Sequence, residues 1–100
     1  MSLKIAAVCD NELSGKILKE TGEKLGITVN YEIQDFTGIK NELSLMDIAT
    51  SDVVLFVTEN EVEQIKGIER FIDREYYEVL PQFVIEDAKN VISEITMDLN

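Results

Sequence analysis

Stretches with strand periodicity and stretches with helix periodicity take turns along nearly the whole 100-residue chain. This alternation restricts the possible folds more than any other feature. Residues 3–8 (Leu-Lys-Ile-Ala-Ala-Val) are a short, mostly apolar run, as expected of a strand buried on both faces. Residues 13–25 place Leu13, Ile17, Leu18, Thr21 and Leu25 on one helical face, and Gly26 stands where a C-terminal cap belongs. Ile27, Val29, Tyr31 and Ile33 then alternate with Thr28, Asn30, Glu32 and Gln34, which predicts a second strand with one wetter face. Ser44 and Asp47 have the spacing of a capping box at the start of a short helix through Ala49. Residues 53–58 (Val-Val-Leu-Phe-Val-Thr) form the most apolar, β-branched run and hence the clearest strand. Asn60 is placed to cap a short helix over residues 61–66, ended by Gly67. Residues 76–80 predict one more strand. After Pro81, the spacing of Phe83, Asp87/Ala88, Val91, Ile92, Ile95 and Leu99 predicts a single closing helix over residues 82–99.

Strands separated by helices imply parallel pairing through right-handed crossovers. The expected architecture is one α/β domain over residues 1–100. It has three layers: a four-stranded parallel sheet with helices on both faces, flavodoxin-like in style. Ligands of such sheets gather at the carboxyl ends of the strands.

Composition narrows the function. Twenty acidic residues against nine basic ones give a formal charge of -11. This sign is wrong for nucleic acid or an anionic membrane surface. The chain has no His, which excludes a phosphohistidine carrier, a Ser-His-Asp hydrolase and a His-ligated metal. Its one Cys allows no internal disulfide and no Cys-cluster zinc site. A lone thiol, no signal-peptide pattern and no apolar run near the ~20 residues of a membrane span predict a cytoplasmic protein without membrane insertion. Glu59, Glu61 and Glu63 follow the third strand. They suit a divalent cation in principle, but a solvated helix start is the commoner use of such acids. No metal or cofactor site is assigned.

The strand-end rule directs attention to Cys9, read as following the first strand and preceding the loop 10–15. A thiol at a helix N-terminus meets orphan N–H groups and the positive end of the dipole, which lower its pKa and bind phosphoryl oxygens. Asn11, Ser14 and Gly15, with their backbone amides, are the candidate phosphate cradle. A phosphatase loop of the form Cys-x5-Arg requires Arg where this chain has Gly15. Asp10 and Glu12 oppose a phosphate dianion. A pair of unit charges about 4 Å apart interacts by ~1 kcal/mol in water and ~4 kcal/mol at an effective dielectric of 20. Cys9 equally suits a small apolar side chain closing a strand. Phe36 is read as packing onto the sheet; exposed in its loop, it would instead suit contact with a partner.

The stretch Gln34-Asp-Phe-Thr-Gly38-Ile-Lys-Asn41-Glu42-Leu43-Ser44, followed by Asp47-Ile48-Ala49 and Asp52-Val53-Val54, resembles fructose-type enzyme IIB domains of the bacterial phosphoenolpyruvate-dependent sugar phosphotransferase system. Those domains carry Glu-Thr-Gln-Gly-Ser-x-Gly-x-x-Asn-x-Leu-Thr, then Asp-Ile and an Ala-Asp-Val-Val strand. Arg70-Phe71 and Tyr77-Glu78-Val79 also sit where the family tends to have Arg-Phe and a last strand. The resemblance implies a cytoplasmic phosphocarrier that accepts phosphate from a phosphohistidine on a IIA partner. It would hold it as phosphocysteine on Cys9 and pass it to sugar bound by a membrane IIC component. The family loop, roughly Cys-Pro-Thr-Gly-x-Ala-His-Thr, has no counterpart here, and its cysteine aligns nearer Asn11 than Cys9. The alternative implied by these departures is a catalytically inactive IIB-like regulatory or protein-interaction module.

Overall fold

The structure, a computed structural model, describes residues 3–99. Its elements run β1 (Lys4–Cys9), α1 (Glu12–Lys24), β2 (Thr28–Asp35), β3 (Gly38–Lys40), α2 (Leu45–Ala49), β4 (Val53–Val57), two 3-10 turns (Val62–Gln64 and Ile68–Phe71), β5 (Tyr76–Val79) and α3 (Pro81–Leu99). The strands form one sheet in the order β3-β2-β1-β4-β5. β2, β1, β4 and β5 pair in parallel, as the alternation of elements predicts. A fifth strand is added to the expected four. β3 folds back antiparallel onto the end of β2, with Ile33 opposite Lys40 and Asp35 opposite Gly38. It is short and follows a tight turn, so it leaves almost no periodic signal.

Two apolar layers cover the sheet. On one face Ile5, Ala7, Val29, Val53 and Leu55 meet Leu18 of α1 and Val84, Ala88, Ile92 and Ile95 of α3. On the other, Ala6, Val8, Val54 and Phe56 meet Leu43, Ile48 of α2, Ile65 just after the first 3-10 turn and Phe71 of the second. Every residue of β4 is buried, in keeping with its uninterrupted apolar sequence. Phe71 and Tyr76 both meet the Phe56 ring edge-on, at centroid distances of 5.3 and 5.4 Å.

The helices obey their local signals in part. The Ser44 hydroxyl accepts from the Asp47 N–H and the Asp47 carboxylate accepts from the Ser44 N–H, so the expected capping box closes. The buried stripe of α1 differs from the apolar one read in the sequence. Ser14, Gly15, Leu18 and Gly22 are buried, whereas Leu13 and Leu25 are exposed. The helix lies so close to β2 that small residues must face the sheet. A Cβ on Gly22 would stand 2.7 Å from Val29 Cγ2 and 2.9 Å from the Ile27 carbonyl oxygen. Instead of the capped helix expected after Asn60, a 3-10 turn over Val62–Gln64 forms without a side-chain cap, and the Asn60 N–H donates to Thr58 Oγ1. The closing helix is broken at Asp87 (φ -158°, ψ 74°), whose carboxylate accepts from the Asn90 N–H at 3.1 Å and starts a new helical segment.

Gly22→Ala tests the close approach of α1 to β2. Helix propensity alone favours Ala by roughly 1 kcal/mol. Because the clash involves a backbone carbonyl, the expected outcome is a net loss of about 1–3 kcal/mol in urea unfolding.

Candidate functional site

β1, β2 and β4 end side by side, and their carboxyl ends border a small cleft of about 40 Å³ lined by Cys9, Asp10, Gln34, Thr58, Asn60 and Ile65, among others. Cys9 is the last residue of β1 rather than the first of the loop, a correction to the sequence reading. It pairs with Ile33 and Val57 on its two sides. Side chains alternate along a strand, so Cys9 falls on the same face as Ile5 and Ala7, inside the layer covered by α1 and α3. Its exposure is 1%. Burial, then the neighbouring Asp10 charge, pushes the thiol up to about 12 from 9.0.

The start of α1 is capped from within. Asn11 Oδ1 accepts from the Ser14 N–H at 2.8 Å and from the Ser14 hydroxyl at 3.0 Å. The Asn11 amide donates to Asp10 Oδ1 at 2.9 Å. The Asp10 N–H donates to the Val57 carbonyl, and the other Asp10 oxygen accepts from the Glu59 N–H at 3.3 Å. Ser14 is fully buried. Gly15 lies beneath the Tyr31 ring, where a Cβ would stand 2.4 Å from Cδ2. Of the four candidate residues, Cys9 lines the strand-end cleft, whereas Asn11, Ser14 and Gly15 stand at the adjoining start of α1 outside its lining. In the conformation described, Asn11 and Ser14 satisfy each other and Gly15 packs against the sheet.

A second group escaped the sequence reading. Glu32, assigned to the wet face of β2, is completely buried. Its Oε1 accepts from Arg70 Nη1 and the Leu43 N–H, and its Oε2 from Arg70 Nη2 and Gln34 Nε2, at 2.6–2.9 Å. Gln34 also exchanges hydrogen bonds with Lys66 in both directions. Arg70 Nε donates to the Gly67 carbonyl, and its guanidinium lies 5.0 Å from the Phe71 ring centre. Burial pushes the Glu32 carboxyl up, but the hydrogen bonds from Arg70, Gln34 and Leu43 and the Arg70 charge outweigh it and leave the carboxyl below its ordinary 4.5. The available signal was Arg70-Phe71 in the resemblance, which gave no partner for Arg70.

Phe36 does not pack onto the sheet. It is 100% exposed at the tip between β2 and β3. The turn around it is held by Asp35, whose Oδ1 accepts from the Thr37 N–H and hydroxyl. Phe36 thereby forgoes the roughly 1.5–3 kcal/mol that burying such a side chain supplies.

The fold places the protein among open, mostly parallel α/β domains, with a small cleft at the strand carboxyl ends. Searched by sequence, the chain matches no protein-family model and no curated protein. In structure it is similar to a domain of the fructose-specific IIABC component of the phosphotransferase system from Borrelia burgdorferi. The identity is 25%, covering 94% of this chain and 93% of that one, with a TM-score of 0.80. It is also similar to the enzyme IIB subunit of the phosphotransferase system from Escherichia coli K12, at 26% identity, 95% and 89% coverage and a TM-score of 0.76. A predicted fructose-specific IIB from Escherichia coli matches at 26% identity, 98% and 90% coverage and a TM-score of 0.75. The resemblance to fructose-type IIB domains is borne out, and the chain is IIB-like over nearly its whole length. No helix among the described residues is long and apolar enough to cross a membrane.

Arg70→Met strands the Glu32 carboxylate and is expected to cost about 3–5 kcal/mol at neutral pH. In the wild type, the folded Glu32 titrates below the unfolded one. Its stabilisation is therefore present above 4.5 and lost as pH falls through the lower folded value. The difference between wild type and Arg70→Met in urea melts should shrink on acidification. At Cys9, a shift from 9.0 to about 12 lowers the thiolate fraction about a thousandfold. Iodoacetamide at pH 8 should therefore alkylate the urea-unfolded chain many times faster than the native one.

Proposed function

We propose that this chain is a IIB-like module of a sugar phosphotransferase system that acts by binding partner components, and that Cys9 does not carry phosphate. The observation carrying this reading is the Cys9 sulfur. It is buried in the apolar layer under α1, with its pKa pushed up to about 12, while Asn11 occupies the Ser14 amide at the cradle. Attack on a phosphohistidine requires an exposed thiolate and free N–H donors for the phosphoryl oxygens. The interaction surface is the strand-end rim, where Phe36 stands fully exposed on a braced turn. Its partners in such a system are the IIA and IIC components, and its place is the cytoplasm.

A second reading keeps the phosphocarrier. Cys9 ends β1 immediately ahead of the loop that leads into α1, at the switch in strand order, which is where the chemistry of this fold class gathers. Cys9 would then accept the phosphoryl group from a IIA phosphohistidine, with Asn11, Ser14 and Gly15 turning their donors to it. That step needs β1 to release its last residue from Ile33 and Val57 and Asn11 to leave the helix cap.

One experiment separates the two. The protein is incubated with phosphoenolpyruvate, enzyme I, the phosphocarrier HPr and a fructose-type IIA, and its intact mass is measured. The expected result is no phosphate increment, together with calorimetric binding of the IIA protein that Phe36→Asp weakens about tenfold, as for an exposed aromatic anchor. A phosphate increment that disappears in Cys9→Ser would replace the interaction reading with the phosphocarrier one.

A further inference from the structure

The sheet has a second surface unrelated to the cysteine loop. β5 is an edge strand, paired only with β4. The Val54 N–H donates to the Glu75 carbonyl and the Thr58 N–H to the Val79 carbonyl. In a parallel ladder this phase turns alternate residues toward β4, so Tyr76 and Glu78 direct their N–H and C=O groups to the open side. Neither has a backbone partner there among the described residues. The strand is firmly seated, since the Tyr76 ring packs on Phe56.

Two depressions meet at this edge. The first, of about 150 Å³, lies between β5 and α3; the partly buried Tyr77, Val79 and Val91 contribute apolar surface to it, and Glu94 and Asp98 the charge. The second, of about 260 Å³, continues from Glu78 and Val79 to Glu59 and Glu61. Five carboxylates from three parts of the chain therefore border the strand, and no Lys or Arg lines either depression. The same charges repel a second copy of this acidic chain, which disfavours edge-to-edge self-association.

We infer that the open edge of β5 takes an extended, basic segment of a partner protein as an added strand. The segment pairs with the free N–H and C=O groups of Tyr76 and Glu78. Its Lys or Arg side chains lay their aliphatic stems on the apolar floor beside α3 and bring their charged heads to Glu94 and Asp98. Alternation along the added strand allows apolar residues on its opposite face. This inference goes beyond the phosphotransferase reading and does not depend on it.

The test uses the whole chain and two capped peptides of equal charge, Lys-Val-Lys-Val-Lys and Lys-Pro-Lys-Pro-Lys. The second lacks two backbone N–H donors and its prolines fix φ at about -65°, so it pairs more poorly as a strand. The expected result is saturable binding of the valyl peptide that weakens with salt. Amide hydrogen exchange at Tyr76 and Glu78 should slow about tenfold or more at saturation. The paired substitution Glu94→Gln with Asp98→Asn, both on the exposed side of α3, should weaken binding about fivefold while leaving the circular dichroism spectrum unchanged. Equal affinity for the prolyl peptide, unchanged exchange at Tyr76 and Glu78, or binding indifferent to the paired substitution would each overturn the inference.

Discussion

A single buried carboxylate organises the strand-end half of this domain. Glu32 sits in β2 with no exposure to water, a position that costs several kcal/mol unless the charge is fully hydrogen-bonded. Each of its oxygens accepts twice, and the donors come from three separate stretches of chain: Gln34 on the same strand, Leu43 before α2, and Arg70 in the second 3-10 turn. The irregular segment 41–44 and the short 3-10 turn at 68–71 have few repeating backbone hydrogen bonds to fix them. Here the charge fixes them, and they close the face of the sheet opposite α1 and α3. The apolar residues Leu43, Ile65 and Phe71 are delivered to that face with them.

The opposite face is governed by parity. β1 carries its residues alternately to either layer, and extending the strand to Cys9 assigns the sulfur to the layer beneath α1. Glycines at positions 15 and 22 then allow α1 to approach the sheet closely, which seals that layer further. The features that look favourable for a reactive thiol in one dimension, a strand end followed by a helix start, are also those of a well-closed core. Which of the two results depends on a single residue of strand length and on whether the cap donors are already taken.

Much of the fold was legible in the residues. The β-branched run of β4, the Ser44–Asp47 capping box and the parallel order all follow from local signals, which short-range sterics and hydrogen bonding enforce. β3 was not legible because three residues after a turn carry no periodicity. Nor was the break at Asp87, since the buried Val84, Ala88, Ile92 and Ile95 keep helical spacing across it. Glu32 was misassigned because alternation predicts a polar face without knowing that Arg70, thirty-eight residues later, covers it. Phe36 was misassigned for the opposite reason: an apolar side chain was expected inside, but the turn that Asp35 stabilises leaves the ring no neighbour.

By itself, the sequence determined the class of the domain and the position of its candidate site. Alternating periods dictate parallel strands with crossover helices, and such sheets place their loops at one end. Only the tertiary structure decided the state of that site. Whether a sulfur meets solvent, whether a glutamate finds its guanidinium and whether an edge strand stays uncovered are all set by contacts between residues far apart in the chain, which no local pattern encodes.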